Sequence, residues 1–376
     1  MLLVMPIILI FYNANNLSVR HLFYIQAAYS LTIVLLEIPT GYLADVWGRK
    51  NTLIIGAFFG FAGYMTYSLT SGFSYFLMAE VMLGIGQSFI SGTDTALLYD
   101  TMVALKKEEK YLKVEGRMTS VGNFAEAISG IAGGMLAVVS PRLPFICQAC
   151  FALVAIPAAL TLIEPEVTSS KKKPGFADLI QAFRNALIKN KALQKNLLVS
   201  SVIGASTLTM AWFVQPYFKV INLPTALYGI SWSLLNASVG IAALSAFRFE
   251  RRFGENKMIV GIIILTTIGY VSLFVFQAYW ALCFILMFYM VRGIATPLLK
   301  DSINKLISSD TRASILSLRN LIIRGLFSSV APIIGWMSDK ISLQAALLFA
   351  GCTFFMLCLP FVWIIVIRKS NITSGN

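Results

Sequence analysis

Long apolar runs separated by short polar segments extend from the first residue of the chain to about residue 367. A membrane-spanning helix needs about 20 mostly apolar residues, because each residue adds only about 1.5 Å to its length. Charged and turn-forming residues divide the sequence into twelve runs of this kind. The predicted spans are residues 1–14, 22–43, 52–70, 74–98, 116–139, 142–163, 196–220, 226–247, 257–276, 279–301, 312–336 and 341–367. The first run is short, so we expect the sequence to start within a longer first helix, through a late gene start or an incomplete helix.

The longest polar interval covers residues 164–195 and predicts a cytoplasmic linker. Its second part carries apolar residues at helical spacing with basic residues between them, which indicates an amphipathic helix on the membrane surface. These apolar residues are Phe176, Leu179, Ile180, Phe183, Leu187 and Ile188. The linker divides the spans six and six. We therefore predict an N-terminal bundle (1–163), the linker (164–195), a C-terminal bundle (196–367) and a tail (368–376).

The two groups of six spans are related by an internal repeat. NLSVRHLFYI from Asn16 aligns with NLPTALYGIS from Asn222 at an offset of 206 residues, and this offset also places Gly48 on Gly254. TALLYDT and TPLLKDS align at an offset of 201 residues. Both groups have the same orientation, so the axis that relates them runs along the membrane normal. The predicted fold is an all-α integral membrane protein of twelve helices in two pseudo-symmetric bundles, with a binding site near the midplane.

Composition agrees with lipid as the solvent. The 376 residues are 57% hydrophobic and only 12% charged, with a mean hydropathy of +0.77. Soluble proteins carry about 25% charged residues. The net charge of +13 could indicate nucleic-acid binding in a soluble protein. Beside membrane spans, the same basic residues are better explained by the positive-inside rule, so we expect no nucleic-acid partner.

The distribution of lysine and arginine predicts the orientation. With a cytoplasmic N-terminus, 24 of the 30 basic residues lie on the cytoplasmic side, four lie outside and two lie at membrane depth. This bias places both termini in the cytoplasm of a protein of the plasma (cell inner) membrane. The four outer residues are Arg20, Arg142, Lys219 and Lys340, and the two at depth are Arg292 and Arg324.

One charged segment carries a family resemblance. GYLADVWGRKNTL, residues 41–53, resembles the G-x-L-A-D-x-x-G-R-K-x-x-L signature that joins the second and third helices in the major facilitator superfamily, and EIPTG precedes it. The resemblance implies a transporter that works by alternating access. In that family the aspartate at the position of Asp45 contacts the eleventh helix when the outside is open. The gating residues that it implies here are Gly41, Asp45, Gly48, Arg49 and Lys50, with Arg312 and Arg319 as partners at the start of span eleven.

Two other signatures of this family are incomplete. SGIAGG, residues 129–134, resembles part of the G-P-x-x-G-G signature of antiporters, but Ser129 and Gly130 depart from it. Ordinary helix packing by small residues is the alternative reading of this segment. The fourth-helix arginine that the family links to proton coupling is absent, because Glu80 and Val81 stand where it is expected.

Ionisable residues inside predicted spans are costly and are functional candidates by default. The candidates for proton binding or ion pairing are Glu37, Asp94, Glu126, Arg292 and Arg324. Arg292 is the expected anchor for a substrate or a carboxylate, and Asp94 or Glu126 is the expected proton-binding group. Structural ion pairs between helices are the alternative.

Glu80 is set apart from these candidates. It lies early in the fourth predicted span, so we expect it near the outer surface, in contact with water.

By the resemblance, the first, fourth, seventh and tenth helices line a central cavity. Polar and aromatic residues on these helices predict a site for an amphipathic or aromatic compound, with packing as the alternative for each residue. They are Tyr12, Asn13, Gln87, Trp212, Gln215 and Tyr289.

Enzymatic motifs are missing from the sequence. It has a single histidine, His21, and no G-x-S-x-G, H-E-x-x-H or G-x-x-x-x-G-K. We therefore expect no enzyme, no ATP-driven pump, no metal and no cofactor. A membrane-embedded enzyme that uses carboxylates and a non-transporting sensor or receptor are kept as alternatives.

Among transporters, the partial antiporter signature and the acidic groups at membrane depth favour export of a small organic compound, such as a drug, in exchange for protons. The alternative is a symporter or facilitator that imports a sugar or another metabolite. We also expect the protein to be a monomer.

Overall fold

The computed structural model describes residues 3–91, 93–107, 111–164, 184, 188, 190–307 and 309–373. These residues are nearly all helical, and no strand occurs among them. The helices are α1 (Ile8–Ala14), α2 (Val19–Trp47), α3 (Arg49–Leu69), α4 (Phe73–Ile90), α5 (Thr93–Ala104), α6 (Tyr111–Val139), α7 (Leu143–Leu160), α8 (Lys191–Val220), α9 (Tyr228–Phe253), α10 (Glu255–Val275), α11 (Leu282–Asn304), α12 (Ser309–Lys340) and α13 (Leu343–Thr373). Short 3₁₀ turns precede α1, α9 and α11.

The described helices agree with a twelve-span membrane protein. Ten helical segments are long and apolar enough to cross a membrane, and two shorter apolar helices, Met5–Ala14 and Phe124–Val139, occupy the positions of the first and fifth predicted spans. The first helix is short, as the sequence predicted.

The chain forms two compact units. The first unit contains Met1–Phe176 and Pro224–Ser233, and the second contains Ala177–Leu223 and Leu234–Asn376. In the first unit α3 packs on α4 and α7, and α2 packs on α4. In the second unit α10 packs on α13 and α11, and α8 packs on α12 and α13. The amphipathic helix predicted in the linker lies, except for isolated residues, outside the described part of the chain.

The predicted turn between the second and third spans is shorter than expected. Helix α2 continues through the polar residues to Trp47, and α3 begins at Arg49, so only Gly48 is non-helical. Gly48 has φ +88° and ψ 149°, a conformation available essentially to glycine alone. Gly254 separates α9 from α10 with φ +81° and ψ 151°. The two glycines that the repeat aligned therefore make the same turn.

The repeat is also visible where α1 and α8 end. Asn16 and Asn222 both adopt the left-handed conformation, with φ of 60° and 53°. In each case the N–H of the next residue, a leucine, donates to the carbonyl five residues earlier at 2.9 Å. This bond is the signature of a Schellman helix end, in which asparagine tolerates the positive φ.

The fourth predicted span, residues 74–98, is two helices rather than one. Helix α4 ends at Ile90 and α5 begins at Thr93. Ser91 leaves the helical conformation with ψ 124°, and its hydroxyl donates to Oε1 of Glu37 on α2 at 3.2 Å. A Ser-Gly pair at this point favours a turn over a helix. Asp94 consequently lies in the first turn of a separate helix and is exposed.

Candidate functional site

A buried polar cluster lies inside the first unit, centred on Glu80 of α4. Glu80 is only 5% exposed. Its Oε1 accepts hydrogen bonds from Nε2 of Gln26 at 3.0 Å and from the hydroxyl of Tyr67 at 3.1 Å. The hydroxyls of Tyr67 and Tyr12 lie 2.6 Å apart. Helices α1 to α4 each contribute one of these four residues, which we call the Glu80 cluster.

Helical spacing places Glu80 on the buried face of α4. Phe76, Glu80, Gly84 and Ser88 follow one another at intervals of four residues, and all four are buried. A Cβ added to Gly84 would lie 3.1 Å from the carbonyl oxygen of Tyr29 on α2. The absence of a side chain at Gly84 therefore lets α2 approach α4 closely enough for Gln26 to reach the carboxylate.

Aromatic rings pack beside the cluster. Phe11, Phe76 and Phe145 are fully buried. The ring centroids of Phe11 and Phe145 lie 4.1 Å apart, and the ring of Tyr67 lies 4.9 Å from Phe76 and 5.0 Å from Phe145. Water is therefore displaced from one side of the hydrogen-bonded groups, and the carboxylate depends on its protein partners for solvation.

The expectation that Glu80 contacts water near the outer surface is wrong. Glu80 is the eighth residue of α4, about 10 Å along the helix from Phe73. Its place in a row of buried residues at four-residue spacing is visible only in the structure. Gln26 and Tyr67 are the other members that the sequence did not single out.

A second polar site surrounds the turn at Gly48. Nη1 of Arg49 lies 2.7 Å from Oδ2 of Asp100 on α5, with 14% and 21% of the two side chains exposed. The carboxylate of Glu164, just after α7, accepts from the backbone N–H of Arg49 at 2.7 Å and of Lys50 at 3.3 Å. A carboxylate at the first N–H groups of a helix is favoured by the helix dipole. The start of α3 is therefore held by acidic groups from α5 and from the end of α7.

The residues predicted to gate the transporter lie in different settings. The side chains of Asp45 and Arg312 are outside those that the structure describes, so their contact stays a prediction. Lys50 is half-buried, and Gly41 lies inside α2 with open space where a Cβ would stand.

Arg319 is buried within the second unit. It is 7% exposed, and its Nε donates to the hydroxyl of Ser200 on α8 at 2.5 Å. Nη1 makes a longer contact of 3.4 Å with Oδ1 of Asn320. The guanidinium is thus held by neutral oxygens of its own unit.

The five predicted proton-binding or ion-pairing residues are divided between the units. In the first unit Glu37 and Glu126 are half-buried and Asp94 is exposed. In the second unit Arg292 and Arg324 are half-buried, and the guanidinium of Arg292 lies 5.9 Å from the ring centroid of Tyr289.

The six predicted cavity residues are also divided. Tyr12 belongs to the Glu80 cluster, while Asn13 and Gln87 are half-buried in the first unit. In the second unit Gln215 and Tyr289 are buried and Trp212 is half-buried.

A small cavity in the second unit is lined by other residues, among them Ser206, Thr266 and Tyr270. The hydroxyl of Tyr270 donates to the carbonyl of Ser206 at 2.7 Å, so part of its polar lining is already paired.

Most of the chain matches a known protein family. Residues 1–332 match the family model described as Major Facilitator Superfamily.

Curated relatives with names that describe drug resistance align with most of the chain. Multidrug resistance protein 1 of Bacillus subtilis is 28% identical over 274 residues, which cover 70% of this chain and 67% of the relative. Quinolone resistance protein NorA of Staphylococcus aureus is 22% identical over 290 residues, which cover 74% of this chain and 71% of the relative.

Solved structures of transporters share the fold. The nucleoside transporter NupG superposes with a TM-score of 0.77 at 14% identity, covering 96% of this chain and 92% of that one. A D-xylose-proton symporter superposes with a TM-score of 0.71 at 15% identity, with coverage of 96% and 91%. At these identities the likeness concerns the fold alone.

Proposed function

We propose that this chain, which belongs to the major facilitator superfamily and is a multi-pass membrane transporter rather than an enzyme, exports a small organic compound in exchange for protons. The relatives named for multidrug and quinolone resistance support export and an aromatic or amphipathic substrate. The proposal places the protein in the plasma membrane as a monomer, with both termini in the cytoplasm.

We base the proposed proton coupling on three carboxylates that lie within apolar helical segments of one unit. Glu37, Glu80 and Glu126 lie in the segments Val19–Ala44, Phe73–Ile90 and Phe124–Val139, and each is at least half-buried. A carboxylate inside a membrane helix is costly, most of all at its centre. A facilitator has no need of such groups, whereas a proton-coupled transporter uses them to bind protons.

The antiporter-like segment of α6 also supports proton-coupled export. A Cβ on Gly130 would lie 2.7 Å from the hydroxyl oxygen of Ser233, and one on Gly134 would lie 3.0 Å from Cα of Gly229. These glycines therefore form a close contact with the start of α9, within the first unit. Close contact through small residues leaves few interlocked side chains, which suits helices that move against each other in a transport cycle.

The mechanism that we propose is alternating access with a latch at the turn after α2. The single non-helical residue Gly48 joins two long helices, and the start of α3 is held by Asp100 and Glu164. We expect Asp45 to hold the closed state through Arg312, and release of that contact to open the cytoplasmic side.

The test is net transport by the purified chain in proteoliposomes. Norfloxacin, a quinolone, and a panel of uncharged sugars and nucleosides are offered under pH gradients of both signs. The proposal is supported if norfloxacin accumulates in the compartment from which protons flow out. If a sugar or nucleoside accumulates in the compartment that protons enter, the proposed export is contradicted and import is favoured. If a compound binds without net movement across the membrane, the chain is not a transporter.

A further inference from the structure

We infer that Glu80 carries the exchanged proton and that Tyr67 and Tyr12 form a hydrogen-bonded relay that controls its protonation. This inference rests on the proposed proton-coupled export and names the group that performs it. The sequence favoured Asp94 or Glu126 for this role, but Asp94 is exposed and Glu126 is half-buried, whereas Glu80 is buried among hydrogen-bonding partners.

The cluster can hold the carboxyl group in either protonation state. An ionised carboxylate inside a membrane helix is costly, which favours the protonated form. Hydrogen bonds to the ionised form offset this cost, and Gln26 and Tyr67 supply two of them. The opposing effects of burial and hydrogen bonding suit a group that must both bind and release a proton.

The two tyrosines fix which group donates and which accepts in the hydrogen bonds of the cluster. Each phenol has one proton to donate. Since the Tyr67 hydroxyl donates to Glu80, the hydroxyl of Tyr12, 2.6 Å away, must donate to Tyr67. When Glu80 takes up a proton and becomes a donor, the donor and acceptor roles along these hydrogen bonds can reverse. The state of Glu80 is thereby transmitted to Tyr12 on α1.

The groups that face the carboxyl group are neutral. They are Tyr12 from α1, Gln26 from α2 and Tyr64 and Tyr67 from α3. No ion pair joins Glu80 to a lysine, arginine or histidine among the residues that the structure describes.

Two basic side chains near the ends of α4 and α3, Arg142 and His21, have other contacts. Arg142 donates to the carbonyl of Ser68 at 3.0 Å and to the hydroxyl of Ser71. The His21 ring packs on Phe73, about 10 Å along α4 from Glu80. In our proposal the exchanged proton supplies the charge that neutralises Glu80.

The internal repeat shows that the fold does not require this polar cluster. At the offset of 206 residues, the counterparts of Tyr12 and Tyr67 in the second unit are Phe218 and Leu273. Both counterparts are buried and apolar. The corresponding helix end at Asn222 is thus built with apolar residues at these two positions, so the pair of hydroxyls formed by Tyr12 and Tyr67 is not part of the repeated pattern.

The proposed step is a simple proton transfer. The O–H bond of the neutral Glu80 carboxyl group breaks when the cluster opens to water, the proton passes to a water molecule, and a carboxylate remains. Uptake from the opposite side reverses this step, and no other bond changes.

Infrared spectroscopy of the full chain in lipid tests the protonation directly, without a substrate. We expect the C=O band of a buried protonated carboxyl group to appear and disappear as the pH changes. Glu80→Gln should abolish this titrating band. Glutamine has nearly the same shape and can accept the same two hydrogen bonds, so this variant should stay folded. A titrating band that persists in Glu80→Gln overturns the inference, as does its absence in the wild-type chain.

Two further variants test the relay. Tyr67→Phe removes a donor to Glu80 and should shift both the frequency and the pH midpoint of the band. Tyr12→Phe leaves that donor in place and should give a smaller shift in the same direction. Glu126→Gln is the matched comparison, because it removes a competing carboxylate on α6 and should keep the band. An unshifted band in both tyrosine variants overturns the relay.

Transport separates the failure of this inference from that of the proposed function. With norfloxacin in proteoliposomes, Glu80→Gln should lose gradient-driven accumulation and keep exchange of labelled for unlabelled compound. If the wild-type chain shows no proton-driven transport, the proposed function fails whatever the infrared result. If Glu80→Gln accumulates norfloxacin as the wild-type chain does, only the assignment of Glu80 fails.

Discussion

Arg49 and Asp100 form an ion pair of 2.7 Å that joins the first residue of α3 to α5. Both side chains are largely but not fully buried. We expect a double-mutant cycle of Arg49→Gln and Asp100→Asn to give a coupling energy of about 1–2 kcal/mol. That value lies above the ~0.5 kcal/mol typical of exposed pairs and below the cost of about 3–5 kcal/mol for breaking a buried one. Thermal unfolding in detergent measures it.

Lys50→Gln is the control for this cycle, because it removes a neighbouring charge from the same turn. Its combination with Asp100→Asn should be additive. Additive effects in the Arg49 and Asp100 pair as well would mean that the ion pair contributes nothing to stability.

The turn at Gly48 allows a matched set of alanine substitutions. Gly48 and Gly254 share a positive φ, but an added Cβ at Gly48 would lie 2.7 Å from Oε2 of Glu164, whereas at Gly254 nothing lies within 4 Å. We expect Gly254→Ala to lose about 1–3 kcal/mol from backbone strain alone. Gly48→Ala should lose more, because the carboxylate of Glu164 is also displaced. Gly41→Ala, inside α2 with open space around it, should be neutral or slightly stabilising.

Stability and transport should both be measured for these three variants. If Gly48→Ala and Gly254→Ala lower the free energy of unfolding by the same amount, the contact between Glu164 and the start of α3 does not contribute to stability. The hydrogen bonds from the N–H groups of Arg49 and Lys50 would then not stabilise the turn.

The latch assigned to Asp45 is a prediction from the sequence that a kinetic measurement can test. Asp45→Asn keeps the shape of the side chain and removes its charge. We expect turnover to fall about tenfold, which corresponds to about 1.4 kcal/mol in an activation barrier, with little change in substrate affinity. Proteoliposome transport at several substrate concentrations separates the two. A large loss of affinity at normal turnover would place Asp45 in the binding site instead.

The number and approximate limits of the spans followed from the sequence because lipid imposes a minimum length of apolar residues on every span. The exact position of the turn between α2 and α3 could not be predicted from the sequence. Polar residues such as Asp45 can sit at the end of α2 without breaking it, so the helix continues to the one residue, Gly48, that leaves the helical conformation.

The site was harder to predict than the fold for a related reason. In a soluble helix the buried face is apolar and the exposed face is polar, but a membrane helix is apolar on both sides. The hydropathy of α4 therefore could not show which side of the helix Glu80 occupies. Its partners Gln26 and Tyr67 come from other helices, and only the packing of α2, α3 and α4 brings them together.

The position of Arg319 leads to a prediction that separates gating from packing. The sequence assigned it to the latch, while the structure holds its Nε against the hydroxyl of Ser200 at 2.5 Å with only 7% of the residue exposed. Arg319→Lys keeps the charge but has no Nε donor at this position. If packing dominates, as we expect, this variant should lose about 1–3 kcal/mol of stability, and Ser200→Ala should lose a similar amount. If gating dominates, Arg319→Lys should keep the stability and turnover of the wild-type chain, and Arg319→Gln should raise the rate of opening. Thermal unfolding and proteoliposome transport of the three variants decide between these outcomes, and normal stability in both Arg319→Lys and Ser200→Ala would contradict the packing role.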